Sequence, residues 1–149
     1  MIQINFLKRN NMKTIFFSSI LLMLTLFAGT EVNAQQDMKH NYVVLTKKVP
    51  QLQPILITAE NLKKEDGEHF GKFEVIICGN EIGDITDPAK IEEFIARAEN
   101  LGVELVACGF SLNKFKVNKE TVPKEMKIVE NGILYNFQLQ KKGYKSLSL

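Results

Sequence analysis

Most of the usual signatures of enzyme chemistry are missing from this sequence. It has no glycine-rich nucleotide-binding loop, no Ser-His-Asp order and no acidic pair at catalytic spacing. Its two histidines, His40 and His69, stand far apart and match no zinc-ligand spacing, so both are read as surface residues. The two cysteines, Cys78 and Cys108, are too few for a disulfide scaffold, so any role they have is individual. No apolar run reaches the roughly 20 residues that a bilayer-spanning helix needs. The formal net charge is only +2, and that small excess sits at one end of the chain.

At that end, Lys8, Arg9 and Lys13 precede the apolar stretch Ile15 to Ala28, which is followed by Val32-Asn33-Ala34. A basic segment, a short apolar segment and a small-residue site make up a secretory signal peptide, expected to be cleaved after Ala34. Met12 is the more natural start, because it puts Lys13 directly before the apolar stretch. No cysteine follows the cleavage site, so no lipid anchor is expected there. The remaining 115 residues, 35–149, are read as one domain of periplasmic or secreted location with no membrane span. They carry 16 basic and 16 acidic residues, and this balance argues against a nucleic-acid partner.

What the sequence does have is an alternation of strands and helices. Phe73–Cys78 and Val103–Cys108 are short apolar runs with β-branched residues, each followed by glycine. They read as strands covered on both faces. Between them Asp87-Pro88 opens a helix, Ile91, Phe94, Ile95, Ala98 and Leu101 recur at helical spacing, and Gly102 closes it. This βαβ unit implies a parallel pair. Tyr42–Leu45 predicts a strand upstream, followed by a helical stripe from Leu52 to Leu62 that ends near Gly67. Lys127–Glu130 and Tyr144–Leu147 predict strands downstream, separated by a helix from Asn131-Gly132 to Lys142. The sum is an α/β protein, a three-layer α/β/α sandwich with a mainly parallel sheet of about five strands. Residues 35–39 and the polar stretch 65–71 are expected to be its loosest parts.

The last helix carries two apolar faces, Ile133, Leu134 and Phe137 on one and Tyr135 and Leu139 on the other. Either a homo-oligomer interface or coverage of a sheet edge accounts for the surplus.

Open parallel sheets collect ligands and catalytic groups beyond the carboxyl ends of their strands. Both cysteines fall there. Cys78 is followed by Gly79 and Asn80, and Cys108 by Gly109, Phe110 and Ser111. If Ser111 caps a short helix to Phe115, Cys108 lies beside its positive end, which favours the thiolate. Asn131-Gly132 opens the last helix and could direct backbone donors at an anion in the same place. The plain alternative is that each cysteine is a small buried hydrophobe. Glu81, Asp84 and Asp87 lack the spacing of a calcium loop, and no metal or other cofactor is expected.

From Phe73 to Gly143 the chain resembles the DsrE/DsrF-like family of small sulfur-relay proteins, in particular exported single-domain members. The resemblance is carried by "VACG" at 106–109, by Ser111-Leu112, and by "VPKEMKIVENGILYNFQLQKKGY" from Val122 to Tyr144. It implies a parallel α/β/α sandwich that assembles into oligomers and passes a persulfide between cysteines. Cys108 matches the family's sulfur-carrying position, with a sulfur donor or acceptor protein or small molecule as partner. Cys78 stands where similar exported members often have His-Gly, which makes it a second thiol, a resolving group or a disulfide partner. The relay reading requires an accessible Cys108. The competing readings are a non-catalytic small-ligand or assembly module on the same fold, and thiol–disulfide exchange through Cys78 and Cys108.

Overall fold

The computed structural model describes residues 39–149, so the signal segment expected at 1–34 lies outside the described residues. Five strands form one sheet: β1 (His40–Thr46), β2 (Phe70–Ile77), β3 (Val103–Cys108), β4 (Lys127–Val129) and β5 (Lys145–Ser148). Every pairing is parallel and the order is β4-β3-β2-β1-β5. Four helices connect them: α1 (Leu52–Asp66), α2 (Pro88–Leu101), α3 (Gly109–Lys114) and α4 (Gly132–Lys141). With helices on both sides of the sheet, the architecture is the three-layer α/β/α sandwich.

The order explains the layers. From β1 to β4 the chain steps steadily across the sheet, and then α4 carries it back over β3, β2 and β1 to set β5 beside β1. Right-handed crossovers running in opposite directions place their helices on opposite faces. α1 and α2 therefore pack together on one face, and α4 lies on the other, in contact with β1, β2, β3 and β5.

Local chemistry sets the elements. In α2 the Asp87 carboxylate accepts from the Ala89 N–H, Pro88 fills the first helical position, and Gly102 ends the helix at φ 74 in the left-handed region. Ile91 and Ala98 are buried, and Phe94, Ile95 and Leu101 pack beside them. The central strand β2 is buried on both faces, Phe73, Val75 and Ile77 toward α1 and α2, Glu74, Ile76 and Cys78 toward α4.

The stretch 65–71 differs from the expected loose turn. It comprises the end of α1, a tight 3-10 turn at Gly67–His69 and the first residues of β2. Asp66 explains this, since its carboxylate accepts from the Tyr42 hydroxyl at 2.6 Å and meets His40 Nδ1 at 2.9 Å. These contacts tie the helix end to β1.

Candidate functional site

The two cysteines come together. Ile77 and Ala107 are register partners in adjacent parallel strands, so Cys78 and Cys108 are the next neighbours at the carboxyl end of the sheet. The Cys78 N–H still donates to the Thr46 carbonyl at 2.9 Å, which extends the β1 ladder by one residue. Both side chains face α4, and both are free thiols.

α4 begins directly above them. The Asn131 side chain caps the helix, accepting from the Ile133 and Leu134 N–H groups at 3.0 and 3.2 Å. Gly132 then comes so close that a Cβ added to it would lie 2.6 Å from Cys78 Sγ and 3.1 Å from the Cys108 Cβ. Only glycine fits, and its N–H donates to Cys108 Sγ at 3.2 Å. On the other side Gly109 passes against the backbone of β4, where an added Cβ would be 2.8 Å from the Val129 carbonyl. The Phe110 N–H donates to the Glu130 carbonyl at 2.8 Å.

Ser111 is not the cap it was expected to be. α3 starts at Gly109 with Cys108 in the cap position, because the chain turns into the helix straight from the strand. Ser111 thus sits inside the first turn, buried, and its Oγ accepts from the Gly79 N–H at 3.1 Å. Its hydroxyl and backbone N–H both act on Cys108. Asn80 is exposed, and none of the hydrogen bonds around the thiols includes it.

The two thiols are driven apart in acidity. Burial raises the Cys78 pKa to about 12, and the neighbouring Cys108 adds to the rise. Burial also opposes ionisation of Cys108, but the Ser111 hydroxyl, the Gly132 and Ser111 N–H groups and the Cys78 thiol outweigh it and bring its pKa below the usual thiol range. Cys108 is the more acidic thiol of the pair and Cys78 the less acidic one. The relay reading expected an accessible Cys108, whereas only 3% of its surface is exposed, because the first turn of α4 covers the sulfur.

A second polar group on the same face was not foreseen. Glu74, buried at 3% exposure on the central strand, accepts from the Tyr135 hydroxyl at 2.7 Å and from the Tyr144 hydroxyl at 3.2 Å. Lys127 Nζ donates to the Tyr135 oxygen at 2.7 Å and lies 3.5 Å from Glu104. The sequence signal was a lone acid in the apolar run Phe73–Cys78, four residues before the cysteine and therefore on its face.

The remaining candidates have structural partners. Asp84 pairs with Lys90 at 2.6 Å, Glu81 lies 3.8 Å from Lys48, and Asp87 caps α2. A groove of about 290 Å³ runs between α2 and residues 121–125, and neither cysteine lines it. Among the described residues no helix is long and apolar enough to cross a membrane.

No protein-family model and no curated protein matches the sequence. The fold is similar to that of a solved protein of unknown function from Methanobacterium thermoautotrophicum, with a TM-score of 0.63 and 12% identity over 74% of this chain and 99% of that one. It is also similar to a conserved protein of unknown function from Bacteroides thetaiotaomicron, with a TM-score of 0.56 and 16% identity over 73% of this chain and 95% of that one. At such identities the likeness concerns the fold.

Proposed function

We propose that this is an exported DsrE-like sulfur carrier in which Cys108 takes up and passes on a sulfane sulfur. The observation that supports it is the convergence of the Gly132 N–H, Ser111 and the Cys78 thiol on one sulfur at the carboxyl end of the sheet. Donors to sulfur favour the thiolate, and the thiolate is the nucleophile.

In this reading the Cys108 thiolate attacks the outer sulfur of a persulfide donor. A new S–S bond forms at Sγ, the donor's S–S bond breaks, and the donor leaves as its thiolate with the electron pair. Transfer to an acceptor thiolate is the same exchange in reverse, with Cys108 as leaving group. The burial of Cys108 means that donor and acceptor reach it only when the first turn of α4 lifts. The exposed residues Ile133, Leu134 and Phe137 on α4 are the surface through which a second copy or a relay partner engages that helix.

One observation favours a second reading. Both thiols are buried in the folded chain, as in a non-catalytic binding or assembly module whose cysteines only pack. Thiol–disulfide exchange is supported by their register, since adjacent strands lie about 4.8 Å apart, within the Cα range of a disulfide.

The deciding measurement is alkylation of each cysteine against pH, followed by mass analysis after incubation with a small persulfide donor. Sulfur transfer expects Cys108 to react at neutral pH and to gain one sulfur while Cys78 stays inert. A Cys108 that neither alkylates nor gains sulfur in the native protein rules the carrier out.

A further inference from the structure

We propose that Glu74 is a positioning residue for Cys108, acting through the Tyr135 hydroxyl to seat the first turn of α4 on the thiol. The proposal rests on Cys108 being the reactive sulfur. Glu74 and Ile76 of β2 and Cys78 just past its end alternate along the chain and share the face that α4 crosses. A carboxylate in the middle of that face is costly to bury unless its oxygens are satisfied. Both are satisfied by the α4 segment alone, one by Tyr135 in its first turn and the other by Tyr144 just beyond its end.

The first contact bears on the site. Tyr135 follows Gly132 by three residues, close to one helical turn, and its N–H donates to the Asn131 carbonyl at 2.9 Å. The same turn therefore holds two links to the sheet, Gly132 N–H to Cys108 at one end and Tyr135 O–H to Glu74 at the other. Ile133 and Leu134 of this turn are 59% and 55% exposed, so its packing on the sheet comes from the buried Gly132 and the ring of Tyr135, which Tyr135→Phe retains. The groups around the carboxylate are Tyr135, Tyr144 and, through the Tyr135 oxygen, Lys127 with Glu104.

The test is a pH titration of Cys108 in the purified full chain, read from the 13C shifts of labelled cysteine. It uses the wild type, Tyr135→Phe, Tyr144→Phe and Glu74→Gln, with urea midpoints confirming that each is folded. Tyr135→Phe is expected to lower the Cys108 thiolate fraction at neutral pH by roughly tenfold, the lower end of what one hydrogen bond to a charged group contributes. Tyr144→Phe removes a bond to the same carboxylate but none from the first turn, so its effect is expected to stay within about twofold. Glu74→Gln keeps an oxygen that accepts from Tyr135 and is expected to titrate near the wild type, whereas Glu74→Ala, included beside it, removes that acceptor and leaves the Lys127 contact. Glu74→Ala is expected to shift Cys108 as Tyr135→Phe does, and a folded Glu74→Ala protein that titrates like the wild type also overturns the proposal. A Tyr135→Phe protein that titrates like the wild type overturns the proposal, as does a Tyr144→Phe protein shifted equally. Because the titration involves no sulfur transfer, a Cys108 that never accepts persulfide leaves this outcome readable.

Discussion

A Cβ placed on Gly132 would stand 2.6 Å from the Sγ of Cys78, so these two residues fix how closely α4 approaches the sheet. Gly132→Ala must displace the helix, with Ile76 a further obstacle 2.8 Å from the new carbon. Overpacking of this kind costs about 1–3 kcal/mol. We expect a lower urea midpoint together with a weaker thiolate at Cys108, whose Gly132 donor moves away. An alanine variant of wild-type stability, with an unchanged Cys108 titration, contradicts this account of the site.

Treatment with diamide is expected to join Cys78 to Cys108 within one chain. Intact mass should fall by two hydrogens, and alkylatable thiols should disappear under denaturing, non-reducing conditions. Cys78→Ser should leave Cys108 open to alkylation after the same treatment. Two free thiols surviving in the wild type would show that the strand ends cannot close into a disulfide.

Alkaline pH should destabilise the fold. Burial first, then the neighbouring carboxylates Asp66 and Glu74, raise Tyr42 and Tyr144 from 10.0 to about 12. Cys78 is raised from 9.0 to about 12. A group whose folded pKa lies above its unfolded value contributes fully below the unfolded value, and loses that contribution as pH climbs through the folded one. Cys108 has the opposite sign and adds stability as pH rises past its lowered value toward 9.0. The urea midpoint should therefore fall from about pH 9, where Cys78 begins to lose its contribution, to about pH 12, more steeply above pH 10 where the tyrosines join it, and Tyr144→Phe should flatten part of that fall. A midpoint that is level across the range contradicts the assignment.

Phe137, 56% exposed on the solvent side of α4, is the residue to use in testing assembly. If copies meet through this helix, Phe137→Glu should reduce the mass in solution toward that of one chain with the urea midpoint nearly unchanged, as surface substitutions usually leave it within about 0.5 kcal/mol. A wild-type protein that is already monomeric at tens of micromolar would remove the reason for expecting the effect.

What was legible in the sequence was what local rules govern. The apolar runs of β2 and β3, the Asp87-Pro88 start and the Gly102 stop of α2 each announce themselves within a few residues, and so does the placing of both cysteines at strand ends. The relations that define the site are not local. Glu74 meets Tyr135 across 61 residues and Tyr144 across 70, and a tyrosine at helical spacing carries no mark of the carboxylate it will reach. Ser111 reads as a cap because a serine shortly after a strand-ending Cys-Gly is a common helix start, whereas α3 begins immediately at Gly109. The burial of Cys108 agrees with the plain reading of a small buried hydrophobe, but what covers it is not local, since it is a helix that returns across the whole sheet.

That return also sets a timetable. Among the described residues β5 pairs with β1 alone, so Tyr42 waits for Lys145, about a hundred residues later in the chain, before its outer edge is covered. Until that segment arrives, this edge of the sheet stays open. During that time the apolar β1 is exposed to pairing with any other extended chain nearby. Among the described strands the first in the chain is the last to be covered, so the sheet edge open to misassembly closes only when the C-terminal segment has docked.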